Sequence, residues 1–225
     1  MPRLVLKQKK LKINPLKTSL ITIFIVLTLD QVLKLWIKSS YGLNAVIFDL
    51  GILKFQFIEN PGMAFGWSFG KTWGKIALSL FRLIAVGFIA FYIRRLIKNN
   101  AHKFYVFCIS LVFAGALGNI IDSAVYGLMF DSGTTWSDQF QGWIPYFGVS
   151  ELDFTGYTSV LQGCVVDMIH LEFYWPSWAP FGLAGNEVFP PVFNVADFSI
   201  STGVVFIIIF YKKIVRDEDF KFFNT

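Results

Sequence analysis

Asp197 and Asn194 lie inside the last strongly apolar run of the chain, Pro191–Tyr211. A carboxylate in a lipid-spanning helix costs a few kcal/mol or more, so it marks a candidate site. No Lys or Arg sits within one turn of Asp197 to neutralise it. The pattern recurs earlier, where Asn119-Ile-Ile-Asp122 matches Asn194-Val-Ala-Asp197. Residues three apart share a helix face, so each Asn and Asp is expected to project together. Two carboxylates in a low-dielectric pocket do not both ionise easily, and they share a proton. One can then act as a base that activates water, the other as an acid toward a carbonyl or leaving amine.

The elements that must carry these residues are membrane helices. The chain has 225 residues, 55% hydrophobic and only 16% charged, far below the quarter typical of soluble domains. Apolar runs over 16–36, 73–93, 104–126 and 191–211 are long enough to cross the hydrocarbon core. The first of them is longer than the apolar core of a cleavable signal peptide and shows no cleavage site, so it reads as a retained helix. Segments 43–70 and 127–190 are external. The first mixes short strand patterns such as LKFQFIEN with Gly and Pro turns, and the second is polar and aromatic. The whole reads as one membrane-embedded domain.

Charge sets the expected orientation. The net charge is +5, yet the basic residues follow a membrane pattern and do not suggest nucleic acid. Fourteen of the twenty Lys and Arg fall in the N-terminal tail, the 94–103 connector and the C-terminal tail. Segment 127–190 holds none and carries seven acidic residues. Both termini are therefore expected to be cytoplasmic, with four spans between them. That orientation brings Asp30, Asp122, Asp167 and Asp197 toward the outer leaflet. A small proton-coupled transporter or channel subunit with Asp30, Asp122 and Asp197 as a relay is the alternative, but a relay calls for polar steps through the full depth. A non-catalytic assembly subunit would explain Gly115 and Gly118 as packing glycines, but not the gathering of acids.

Five stretches, in order, resemble the lipoprotein signal peptidase (signal peptidase II) family. They are Asp30-Gln-Val-Leu-Lys34, Glu59-Asn-Pro-Gly-Met-Ala-Phe-Gly66, Gly115-Ala-Leu-Gly-Asn-Ile-Ile-Asp122, Val165-Val-Asp-Met-Ile169 and Phe193-Asn-Val-Ala-Asp197. The resemblance implies an aspartic endopeptidase of the bacterial inner membrane, working at the outer leaflet with no metal or other cofactor. It would cut lipid-modified prolipoproteins on the amino side of a diacylglyceryl-modified cysteine. Asp167 and Asp197 would be the catalytic pair, and Asn60, Gly62, Asn119 and Asn194 would line the substrate groove, which globomycin-type inhibitors occupy. Segment 43–70 would form an extracytoplasmic β-cradle. Expected partners are the lipidated substrates, membrane lipids and such inhibitors, with the chain a monomer.

Two departures stand out. Where the family's third-helix motif continues with Arg, this chain has Ser123, and Arg82 is expected to reach outward in its place. Asp122 and Asp167 are separated by 44 residues where the family has a short loop, with a smaller insertion before Asn194. Both inserts read as external elaboration, the larger one a lid. Asp30 and Lys34, spaced i, i+4, read as a structural ion pair, and Asp122 as a packing and hydrogen-bonding residue. His170 lacks ligand-spaced partners and reads as a hydrogen-bonded histidine, not a metal ligand. Trp136, Trp143, Trp175 and Trp178 read as interfacial anchors.

Overall fold

The computed structural model describes residues 14–62 and 71–220. Most of the basic N-terminal tail, Met63–Gly66 of the second motif and Lys221 lie outside the described residues. Four helices are long and apolar enough to cross a membrane. They are α1 (Pro15–Ser40), α2 (Lys71–Lys98), α3 (Lys103–Ile121) with its continuation, and α5 (Val195–Ile214). α3 runs into a π-helical turn, Asp122–Tyr126, and a final turn α4, Gly127–Met129. More than half of this span is buried inside the protein, against about a fifth of each of the others. α3 is therefore the central helix, and the other three turn faces such as Phe24, Phe81, Ile84 and Ile208 outward. Such faces would be a liability in water and are what a lipid solvent accepts.

Gly115 and Gly118 permit the closest packing in the bundle. A Cβ at Gly115 would collide with the Ala196 carbonyl oxygen of α5, and one at Gly118 would lie 2.7 Å from Asp30 Oδ2 of α1. Small residues that let helix backbones approach are the recurrent device of membrane bundles, where lipid tails leave no hydrophobic drive for association. Here they bring α1, α3 and α5 together at the level of the polar residues.

Above the bundle, β1 (Val46–Asp49) and β2 (Leu53–Asn60) form an antiparallel hairpin. β2 also pairs antiparallel with β5 (Val165–Leu171), which places Asn60 opposite Val165 and Ile58 opposite Asp167. The expected cradle thus takes its third strand from the far end of the chain. One face of β2 and β5, with Phe57, Val166 and Met168, packs on Ile37, Tyr126 and Phe130. The larger insert adds a small hairpin of β3 (Thr135–Ser137) and β4 (Gly142–Ile144).

Two helix boundaries differ from expectation in an informative way. The central span continues past Tyr126 to Met129. The last helix begins at Val195, not Pro191, because Phe193 is extended and exchanges backbone hydrogen bonds with Ile169 of β5. Asn194 is then the N-cap of α5, and its side chain accepts from the Asp197 N–H at 2.9 Å. The Asp197 carboxylate in turn accepts from the Asn194 N–H, which closes a capping box. Asn194 and Asp197 are together because of this cap, not because both stand on a helix face.

Candidate active site

α3, β5 and the first turn of α5 converge on one polar cluster. Asp167, on β5, is 2% exposed. Its Oδ1 accepts from Asn194 Nδ2 at 2.7 Å and its Oδ2 from Asn60 Nδ2 at 3.2 Å. Asp197 Oδ1 accepts from Asn119 Nδ2 at 2.8 Å, and Oδ2 from the Asn194 N–H at 3.4 Å. Asn194 therefore touches both acids, one through its side chain and the other through its backbone. Burial, with the Asp197 charge adding to it, pushes the Asp167 carboxyl up to about 8. Asp167 is thus protonated at neutral pH, while four N–H donors converge on the two carboxyl groups.

The supporting layer is ionic. Lys34, Asp30 and Asp122 are fully buried, and Lys34 Nζ lies 2.9 Å from Asp30 and 2.8 Å from Asp122. The same Nζ donates to Asn119 Oδ1 at 2.9 Å. Asp30 Oδ1 accepts from the Ala196 N–H at 2.9 Å, taking up a free donor in the first turn of α5. Asp122 Oδ2 accepts from the Val166 N–H at 3.2 Å, one residue from Asp167. Each of these acids thus holds the element that carries one of the site's two aspartates. Gln31 joins them, donating to both carboxylates and accepting from Tyr126 Oη.

The remaining expected residues divide. Gly62 acts through Asn60: its N–H donates to Asn60 Oδ1 at 2.9 Å, and its φ of +100° suits glycine. A Cβ there would also meet Leu78 at 2.7 Å. Arg82 is half-buried on α2 and lies in the field of Asp197 and Asp167. Among the described residues it forms no ion pair at contact distance. Ser123 is buried and its hydroxyl donates back to Asn119 O at 3.1 Å, so it offers no charge to the site.

The four tryptophans fall in two places. Trp175 and Trp178 stand exposed on the loop after β5, but Trp136 and Trp143 face each other across β3 and β4 at 5.6 Å in an edge-to-face pair. His170 Nε2 is 2.9 Å from Glu187 Oε1. Sequence reasoning passed over the buried Lys38–Glu59 ion pair that ties α1 to β2, with Phe130, Tyr146 and Tyr157 around Lys38. One signal was available: Lys38 continues the i, i+4 row from Asp30 and Lys34. Lys75 lies in the apolar run of α2. It is 6% exposed, and its Nζ lies 3.3 Å from Cys164 Sγ and 5.1 Å from the Trp143 ring.

A family model described as signal peptidase (SPase) II matches residues 22–213, a span that includes every residue of this cluster. The chain belongs to the signal peptidase II family. It is 38% identical over 199 residues to a lipoprotein signal peptidase of Porphyromonas gingivalis, covering 86% of this chain and 82% of that one. A lipoprotein signal peptidase of Amoebophilus asiaticus is 34% identical over 192 residues, covering 82% and 73%. A solved bacterial membrane enzyme structure, obtained by the in meso method at 2.3 Å resolution, is 25% identical with a TM-score of 0.52 and covers 92% of this chain and 94% of that one. The family membership bears out the resemblance read from the five sequence stretches.

Removing Lys34 should expose how much rests on it. Lys34→Met leaves Asp30 and Asp122 buried together without their cation, and breaking a buried pair in this way costs about 3–5 kcal/mol. Thermal unfolding in detergent is expected to show a large drop in Tm. Lys34→Arg should recover part of it, whereas an unchanged midpoint for Lys34→Met would mean that the two acids hold α5 and β5 unaided.

Proposed function

We propose that this chain removes the signal peptide from lipid-modified prolipoproteins, with Asp167 and Asp197 as its acid–base pair. The carrying observation is the bridge through Asn194, whose side chain reaches Asp167 and whose backbone reaches Asp197. With Asp167 pushed up to about 8 by burial and by Asp197, the proton of the pair rests on Asp167 at neutral pH. Asp197 takes a proton from water as the water oxygen bonds to the scissile carbonyl carbon. Asp167 gives its proton to the carbonyl oxygen, forming a neutral tetrahedral diol. The C–N bond then breaks, with the proton on Asp197 passing to the leaving nitrogen and a diol proton returning to Asp167. No covalent intermediate forms and no cofactor enters.

Asn60, Asn119 and Asn194 hold the carboxyl groups in place; Asn119 and Asn194 are buried, so the partly exposed Asn60 is the one left to meet the substrate backbone, with Gly62 fixing the turn beside it. Arg82 supplies the positive charge that Ser123 lacks, acting through the field it shares with both aspartates. The cluster lies where the helices meet the β-sheet, and the paucity of basic residues in segment 127–190 supports an external sheet and cytoplasmic termini. A dyad at that level meets a lipid-anchored cysteine where its acyl chains enter the outer leaflet of the inner membrane. Globomycin-type compounds would compete for the same groove, and the chain would act as a monomer.

A gel-shift assay with a lipidated prolipoprotein tests the pair. Asp167→Asn and Asp197→Asn are each expected to lower the rate at least about a hundredfold, the least that a lost acid or base normally costs. Undiminished cleavage by either variant would remove that residue from the dyad. Because Asp167 must carry a proton to act as the acid, the wild-type rate should fall as pH rises through about 8. A rate flat to pH 9.5 or so would contradict that assignment. Arg82→Ala is expected to slow processing without lowering Tm, and processing at the wild-type rate would rule out its part in catalysis.

A further inference from the structure

The larger insert holds a cavity that the acid–base chemistry does not use. It measures about 270 Å³ and is lined by Thr134, Thr135, Thr158, Gln162 and the Trp136–Trp143 pair, with Tyr157 alongside. No lining residue carries a carboxylate, an ammonium or a guanidinium. Hydroxyls and an amide beside two indole rings suit a neutral, hydrogen-bonding ligand with small side chains. The volume, a little under the roughly 300 Å³ at the small end of ligand pockets, fits a short stretch of peptide.

The cavity is fastened to the end of the β2–β5 ladder that carries the active site. The Thr134 N–H donates to Glu59 Oε2 at 2.6 Å, and Glu59 directly precedes Asn60. Cys164 Sγ donates to Thr134 O at 3.3 Å, and the Cys164 N–H donates to Tyr157 Oη at 3.1 Å. Lys75 of α2 closes the other side, its Nζ at 3.3 Å from Cys164 Sγ and over the Trp143 ring. Burial pushes the Cys164 thiol up to about 11, so it stays a neutral part of the wall. From Cys164 to Asp167 is three residues of extended chain, about 10 Å at the rise of a strand.

The geometry points to a subsite for the substrate's own polypeptide on the carboxyl side of the scissile bond. This inference rests on the peptidase reading above and deepens it. The signal peptide of a lipid-anchored substrate lies in the membrane, and the chain beyond the modified cysteine is its external part. An extended chain leaving the dyad covers the same 10 Å in about three residues. The cavity then receives a neutral stretch of small or hydroxylated residues roughly three to five positions past the cut. Thr135, Thr158 and Gln162 bond its backbone, and Trp136 and Trp143 pack on its side chains. Basic residues at those positions would meet no carboxylate in the lining, with the Lys75 ammonium on one side, and be disfavoured.

Two lipidated substrates separate this role from packing. One ends at the first residue after the modified cysteine, and the other continues for six further residues rich in Ser and Gly. Wild type is expected to show a KM about three- to ten-fold lower for the long substrate, the scale of one or two net hydrogen bonds. In Gln162→Ala, and separately in Thr135→Val, that preference should shrink toward unity while kcat for the long substrate holds. Equal KM for the two substrates in wild type overturns the subsite, and so does a preference that both variants retain. Loss of kcat on both substrates together would assign the cavity to packing. Failure of wild type to cut either substrate would sink the peptidase reading itself, a result distinct from all of these.

Discussion

A single buried ammonium organises the upper half of this molecule. Lys34 Nζ reaches Asp30, Asp122 and Asn119 from one position on α1. Through Asp30 it holds the first turn of α5, through Asp122 the backbone of β5, and through Asn119 the Asp197 carboxylate. The two catalytic candidates sit on consecutive elements, β5 and α5, and α1, far from both in the chain, carries neither. Charges buried in this way contribute little net stability beside an apolar replacement, but removing one of them is costly. The cluster is therefore better understood as a positioning device than as a source of folding energy.

Around that device the requirements of membrane and site coincide. Gly115 and Gly118 bring three helix backbones close where lipid provides no hydrophobic drive. The same closeness carries Asp30 to the Ala196 N–H and keeps the polar groups satisfied among themselves. A π-helical turn at Asp122–Tyr126 interrupts the end of the central span beside the site, and such turns are frequent near functional residues. Asn194 satisfies the N-terminus of α5 and links Asp167 to Asp197 with the same few atoms.

Much of this was legible in the residues. Four spans followed from run length, and the order of five short stretches pointed to Asp167 and Asp197. The start of α5 was misjudged, although Pro190, Pro191 and Asn194 carry the signals of an extended lead-in and a cap. Hydropathy counted Phe193 as helical, and only pairing with β5 makes it a strand residue. Lys38–Glu59 joins positions 21 apart, and Glu59 also takes the Thr134 N–H from an insert that had no assigned fold. Partners of that kind are set by tertiary packing, which local periodicity does not encode. The tryptophans teach the same point: four residues of one type split between an exposed loop and an edge-to-face pair across a hairpin.

Each insert closes at its own root. The Gly163 N–H donates to Ser123 O at 3.0 Å, and the Tyr157 and Thr158 N–H groups donate to Gly127 O, so about forty residues leave and return at nearly one point. After β5, Tyr174 pairs with Glu187, and the loop between them returns in the same way. The entropy of closing such a loop grows only with the logarithm of its length. The separation of the two aspartates is thus insulated from the insert before Asp167 and from the loop between Asp167 and Asp197. The inserts behave as side chambers opening from a rigid doorway, and their size can change while the doorway keeps its dimensions.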